Sequence, residues 1–396
     1  MAPSLDELRQ RPNPLARFYS RFRVDQKLLL TGHSHQAWPD CAAAGQLRAL
    51  EDAALLADEK WGRAFQQAAR VKQAFGRLLG DRGGSLALAG STHELVVRFL
   101  SALPLARRPR LIASDGEYHT LRRQLARLEE EGIEVVRESA ADPGTLAERM
   151  AARIDGRTAA VLVSSVLFRS GRRVPGLAEL ARAAEREGAE LLVDVYHQLN
   201  AIPCDLAADG LDGAFVVGGG YKYCQLGEGN CFLRVPPGRD LRPLVTGWFA
   251  EFGEIAAPTP EQVAYGRGAE AFAGATYDPT SHYRAAEVFD FFRDQDLDPV
   301  FLRQVSQHQV GLLARSFDAL DLDPRKIRRP PVELDQLGGF LALESEHAGP
   351  IHDQLKERRV LTDYRDHSLR FGPAPYHHDG QLEEAMTHLG EVAAEI

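Results

Sequence analysis

The chain has 396 residues, of which 44% are hydrophobic and 26% charged, with a formal net charge of -9; this suits a globular protein with one large domain and a smaller companion. The acidic surplus argues against general nucleic-acid binding, and the longest apolar runs are strand-length, well short of a membrane span. The polar opening MAPSLDELRQRPNP lacks a signal-peptide core, so a cytoplasmic protein with reduced thiols at Cys41, Cys204, Cys224 and Cys231 is expected.

In chain order, the first motif is LLLTGHSHQAWPD, where His33 and His35 would share a strand face. A metal site there needs a third ligand, and none is in evidence. Next comes LAGSTHELVVRFL. Gly90 breaks an apolar run, and Ser91 and Thr92 are suited to start an amphipathic helix whose free N–H groups could hold a phosphate. Glu94 makes an ordinary capping box equally good. Strands are then expected at Arg110–Ser114, Glu134–Glu138, Ala159–Val166, Glu190–Val195, Ala214–Val217 and Cys231–Val235. Between them TLRRQLARLEEEG and GLAELARAAEREG read as helices ending in a glycine cap. Apolar strands alternating with helices predict an α/β domain over residues 46–280, its mostly parallel sheet covered on both faces. Residues 281–396 read as a smaller α+β C-terminal domain, entered by the helix SHYRAAEVFDFFRDQ. It would hold strands near PPVEL, GGFLALES and SLRFGPA and helices at GPIHDQLKERR and DGQLEEAMTHLGEVAAEI, with residues 1–45 packed against it.

Two side chains stand out in the large domain. Lys222 follows an apolar strand and sits between Gly-rich turns. A lysine in such a turn is commonly exposed, but a buried one loses basicity and can attack a carbonyl to give a Schiff base. Asp194 ends the strand ELLVDV, where a carboxylate either caps the next turn or, if buried, calls for a cationic partner. In an open α/β sheet both would reach the crevice at the carboxyl ends of the strands. An Asp facing a pyridinium nitrogen and a Lys facing an aldehyde make up a pyridoxal phosphate site. Arg370, on SLRFGPA, is either a surface strand arginine or a bidentate carboxylate receptor. His119 is either a ring to stack on a cofactor or a helix N-terminal residue.

The order of these motifs resembles the kynureninases, fold-type I pyridoxal phosphate enzymes of the class V aminotransferase branch. The resemblance rests on Asp194 with His197, then Pro203, Asp205 and Leu206, then Tyr221-Lys222-Tyr223, then Gly227 and Gly229, and extends from about residue 28 to 376. It implies a seven-stranded sheet, a pyridoxal 5'-phosphate cofactor, an amino-acid substrate and a homodimer with sites at the subunit interface. By the same resemblance Lys222 binds the cofactor and moves protons, Asp194 holds the pyridinium proton, and His197 lies beside the phenolic oxygen. Ser91, Thr92 and Tyr221 take the phosphate, Thr276 adds a contact from the other subunit, and Trp248 lies in the family's Gly-Trp loop. His119 or Tyr118 stacks on the ring, Arg370 grips the α-carboxylate, and His33 and Ser34 border the substrate. The implied activity is hydrolytic Cβ–Cγ cleavage of an amino acid with a γ-carbonyl; the alternatives are transamination and β-elimination at carbon–sulfur bonds. A cysteine desulfurase is disfavoured, since no cysteine follows Cys231. The family carries Asn at His33, Phe at the stacking position and an Asp near Leu121 or Arg122, so the residues nearest the substrate depart from its pattern.

Overall fold

A computed structural model describes residues 3–254 and 262–396. Its large sheet has seven strands: β1 (Ser85–Ala89), β2 (Arg110–Ser114), β3 (Glu134–Glu138), β4 (Thr158–Ser164), β5 (Glu190–Asp194), β6 (Phe215–Gly219) and β7 (Cys231–Val235). The order across the sheet is β1-β7-β6-β5-β4-β2-β3. All neighbours pair in parallel except β7, which is antiparallel to both β6 and β1. Alternation along each strand feeds two cores. Ile112, Val161, Val163, Val193 and Val216 point into one, and Leu111, Ala113, Leu162, Leu192, Phe215 and Val217 into the other. Helices α1 (Thr92–Ala102), α2 (His119–Glu130), α3 (Leu146–Ala151) and α4 (Leu177–Arg186) follow β1, β2, β3 and β4. The β1 strand was absent from the expected set: its SLALA run is short, small-sided and flanked by glycines, which weakens any strand signal.

A second, three-stranded antiparallel sheet runs β9-β10-β8, with β8 at Leu341–Glu344, β9 at Asp363–Arg365 and β10 at Ser368–Phe371. It packs against Pro299–Asp318, Ala348–Glu357 and Asp379–Glu395. The expected strand at PPVEL does not form; two prolines without N–H cannot join a ladder, and a 3-10 turn at Leu334–Gln336 follows instead. The N-terminal segment joins this part of the molecule. Leu28–Leu29 pairs in parallel with Val360–Leu361, and Thr31 bridges Gly372. That pairing carries the following turn, with His33, up to β9 and β10.

Candidate active site

Five parallel strands end on one side of the sheet, and β1, antiparallel to β7, ends there too. The residues after those ends converge: Gly90–Thr92 after β1, Glu117 and Tyr118 after β2, Phe168 after β4, Asp194 to His197 after β5, and Lys222 after β6. The glycines before Lys222 serve packing. A Cβ on Gly219 would lie 2.5 Å from the Tyr196 hydroxyl oxygen, and one on Gly220 would overlap Leu226. The chain's own side chains, rather than a ligand, fill that space.

Lys222 is buried, and its Nζ lies 2.6 Å from His197 Nε2. The amine sits 4.6 Å from the centre of the Tyr196 ring and 5.6 Å from that of Tyr118. Burial pulls the ammonium pKa down to about 7, with Asp194 opposing and Arg370 assisting. Burial, then the Lys222 and Arg370 charges, keep His197 neutral. Asp194 accepts from the Tyr196 N–H through Oδ1 at 2.8 Å, while Oδ2 has no hydrogen-bond partner among the described residues. Burial raises the Asp194 pKa, and the Tyr196 bond and Lys222 oppose it. A small cavity of about 20 Å³ is lined by Asp194, Thr92, Tyr118, Thr120 and Val217 among others. It has room for about one water, and Tyr118, 37% exposed, is part of its lining.

Arg370 lies on the far wall with its guanidinium already engaged. Its Nε donates to Asp363 Oδ1 at 2.8 Å and Nη2 to Oδ2 at 2.5 Å, while Nη1 donates to the Phe168 carbonyl. His33 Nε2 meets the same Asp363 Oδ1 at 2.7 Å. Burial and then Arg370 lower the His33 pKa to about 4, so the neutral ring donates to the carboxylate. Burial alone would raise the Asp363 pKa; the bonds from His33 and Arg370 hold it well below the usual carboxylate range. Phe340 fills the centre, its ring 4.6 Å from that of His33 and 5.8 Å from that of His197, with the Arg370 guanidinium 5.7 Å away.

The Lys222 amine lies against His197 and the Tyr221 ring and within electrostatic reach of Asp194 and Arg370, and Thr92 shares a cavity with Asp194. Ser91 spends its hydroxyl capping α1, accepting from the Glu94 N–H at 3.3 Å. The Tyr221 ring stacks on His35 at 4.9 Å. Tyr118 borders the cavity, whereas the His119 ring rests against Phe168 at 5.3 Å. His33 contacts Asp363, and Ser34 turns back to the Thr31 carbonyl at 3.2 Å. The Trp248 indole donates to Thr276 Oγ1 at 3.3 Å, and Thr276 lines a separate cleft of about 1530 Å³ that also touches Gly90 and Glu94. Asp363, Phe340 and Tyr196 went unnoticed in the sequence. Asp363 had a signal: a two-residue turn at Asp366-His367 places it directly opposite Arg370 in the hairpin.

No family model matches the chain. It superposes on a C-DES mutant with glycine covalently linked to the PLP cofactor at a TM-score of 0.81, with 14% identity, covering 96% of this chain and 99% of that one. The apo cysteine desulfurase of Thermococcus onnurineus NA1 gives 0.79 at 14% identity over 100% of both chains. The fold is that of the fold-type I pyridoxal phosphate enzymes. At the sequence level an uncharacterized aminotransferase of Bacillus subtilis is 22% identical over 347 residues, 87% of this chain and 88% of its own. A kynureninase of Xanthomonas oryzae pv. oryzae is 28% identical over 347 residues, 82% of this chain and 79% of its own. The motif resemblance is thus matched by similarity along most of the chain. Among the described residues no helix is long and apolar enough to cross a membrane, and no His, Cys, Asp and Glu cluster could hold a metal.

Proposed function

We propose that this chain is a pyridoxal phosphate-dependent enzyme acting on an amino acid. One observation carries the reading: a buried, weakly basic Lys222 amine stands beside an Asp194 carboxylate that keeps an oxygen free, at the carboxyl ends of a fold-type I sheet. That donor set fits the cofactor, since the free Asp194 oxygen suits a pyridinium N–H and Lys222 is a nucleophile near neutral pH. The start of α1, with Thr92 on the cavity, suits its phosphate. When bound, the cofactor supplies a sink for the electron pair released at the substrate's α-carbon.

The chain's own residues do the rest. Lys222 would hold the cofactor through its Nζ, and the same amine, uncharged near neutral pH, would take or return a proton at the substrate's α-carbon. His197, neutral and 2.6 Å away, accepts a hydrogen bond from Nζ and keeps the amine turned into the enclosure. Arg370 offers its remaining N–H groups to a carboxylate. Among the reactions open to this scaffold we place kynureninase-type Cβ–Cγ hydrolysis first, supported by the Xanthomonas relative and by the retained Tyr221-Lys222-Tyr223 and Arg370 motifs. Transamination is the second reading, favoured by the aminotransferase relative that covers more of the chain. A desulfurase reading lacks its thiol: Cys231 is buried on the sheet with its pKa pushed up to about 12 by burial.

Product analysis decides. The protein is loaded with cofactor, attachment at Lys222 is verified by borohydride reduction and peptide mapping, and L-kynurenine is added. Anthranilate and alanine support hydrolysis. An oxo-acid with the amino form of the cofactor establishes transamination instead. An absent pyridoxyl label on Lys222 refutes the cofactor assignment itself.

A further inference from the structure

The carboxylate receptor of this site is not a free arginine. An arginine has five N–H donors. Three are taken here: Nε and one Nη2 hydrogen by Asp363, and one Nη1 hydrogen by the Phe168 carbonyl. One hydrogen remains on Nη1 and one on Nη2. Two donors on neighbouring nitrogens of a planar fork match the two oxygens of a single carboxylate. The plane of that fork is set by Asp363, because a carboxylate held by two parallel bonds fixes guanidinium rotation. Asp363 is itself fixed: β9 and β10 place it opposite Arg370, and His33 donates to its Oδ1 from a ring wedged against Phe340.

Resting on the cofactor reading above, we propose that Asp363, steadied by His33, is the positioning residue that orients Arg370 so that its two remaining N–H groups receive the α-carboxylate of a monoanionic amino-acid substrate. His33 therefore acts through Asp363 and does not touch the substrate. Asp363 also offsets the Arg370 charge, so recognition of the carboxylate depends on geometry more than on a free cation. A guanidinium released from Asp363 would gain net charge but lose its fixed plane. Geometry outweighs the gained charge, since a bidentate charge-assisted pair is the stronger interaction at a buried site.

Two experiments test this. The first uses the cofactor-loaded protein with L-alanine and ethylamine, an amine pair differing by one carboxylate, with binding read from the visible absorbance of the cofactor. In Asp363→Asn the affinity for L-alanine should fall about tenfold or more while that for ethylamine is unchanged. His33→Phe, which keeps the packing on Phe340 but loses the donor, should follow in the same direction, and His33→Gln, which keeps an N–H, should restore binding. Tighter L-alanine binding in Asp363→Asn, an equal loss for both ligands, or no loss at all would overturn the proposal. The second uses the cofactor-free protein and the nitrogen-15 resonances of the Arg370 guanidinium. Exchange between the Nη1 and Nη2 signals should be at least about tenfold faster in Asp363→Asn, with the Phe168 carbonyl still holding Nη1; an exchange rate equal to that of the wild type would overturn it. A protein that carries no pyridoxyl label on Lys222 sinks the cofactor reading alone, because the resonance experiment still judges Asp363.

Discussion

A single amine sets much of the chemistry. With its pKa near 7, Lys222 is largely neutral under conditions where an ordinary lysine is charged. Only the neutral amine attacks an aldehyde, so attachment of pyridoxal phosphate to the cofactor-free protein should quicken as pH rises toward about 7 and level off above it. A stopped-flow pH series checks this, and a rise centred near 10 would contradict it. The same shift bears on stability. Between about 7 and 10.5 the folded state holds the amine neutral while the unfolded chain holds it protonated, so stability rises with pH across that window and the full cost is present below it. Lys222→Met should remove that slope in the cofactor-free protein, measured as Tm against pH, and should abolish pyridoxyl labelling. The positions of Lys222 and Asp194 were legible in the sequence because Asp194 ends one apolar strand and Lys222 closely follows another, and strand ends face the crevice of an open sheet. The His33 contact with Asp363 was illegible because its partner lies 330 residues away, brought near by the pairing of Leu28–Leu29 with Val360–Leu361 and the Thr31–Gly372 bridge.

At the scale of elements, the turn between β2 and α2 is held by one buried acid. Glu117 meets the Ser114 hydroxyl at 2.5 Å, the Ser164 hydroxyl at 2.6 Å and the Ser164 N–H at 3.1 Å, tying this turn to the end of β4 beside Asp194. The neighbouring Tyr118 and His119 owe their placement to that clamp. Burial pushes the Glu117 pKa up to about 7, against the hydrogen bonds that favour the ionised form. Between about 4.5 and 7 the folded state keeps the proton that the unfolded chain releases, so stability falls as pH rises across that range. Glu117→Gln, neutral at every pH, should abolish that fall in a Tm series while retaining the clamp. Glu117→Ala removes all three bonds and should cost about 1–3 kcal/mol for each buried donor it leaves unsatisfied, read in chemical denaturation. The sequence signalled the strand before Glu117 and the helix after it, since both are strongly periodic. Its clamp was illegible, because Ser114, Glu117 and Ser164 become neighbours only when β2 and β4 pair.

Over the whole molecule, local apolar patterning revealed most of the large sheet, while connectivity through small residues stayed hidden. The edges of β2, β3 and β7 match the sequence reading residue for residue, as short apolar runs bounded by charged or turn-forming stretches should allow. What patterning does not describe is the outer surface. Trp61, Phe65, Trp248, Phe249, Phe252 and Tyr277 form one connected aromatic cluster, with centroid separations of 4.3–6.1 Å. Trp248 and Phe252 are each 48% exposed, and the cluster borders the cleft that reaches Gly90 just before α1. Along Cys41–Leu56, Leu47, Leu50 and Leu55 are more than half exposed as well. Scattered exposed leucines mean little, but a contiguous aromatic patch of this kind is a candidate for an interface. A second copy of the chain is the occupant that the kynureninase resemblance suggests, and it would bring the Trp248 and Thr276 loops to the neighbouring site. Light scattering should therefore find a dimer in solution, and Phe252→Glu should shift it to monomer by placing a charge in a desolvated contact. Because Phe252 is half exposed within one chain, the far-ultraviolet circular dichroism of that variant should be unchanged, while cofactor retention weakens. A wild-type monomer at all concentrations, or a Phe252→Glu dimer as stable as the parent, would remove the patch from any role in assembly.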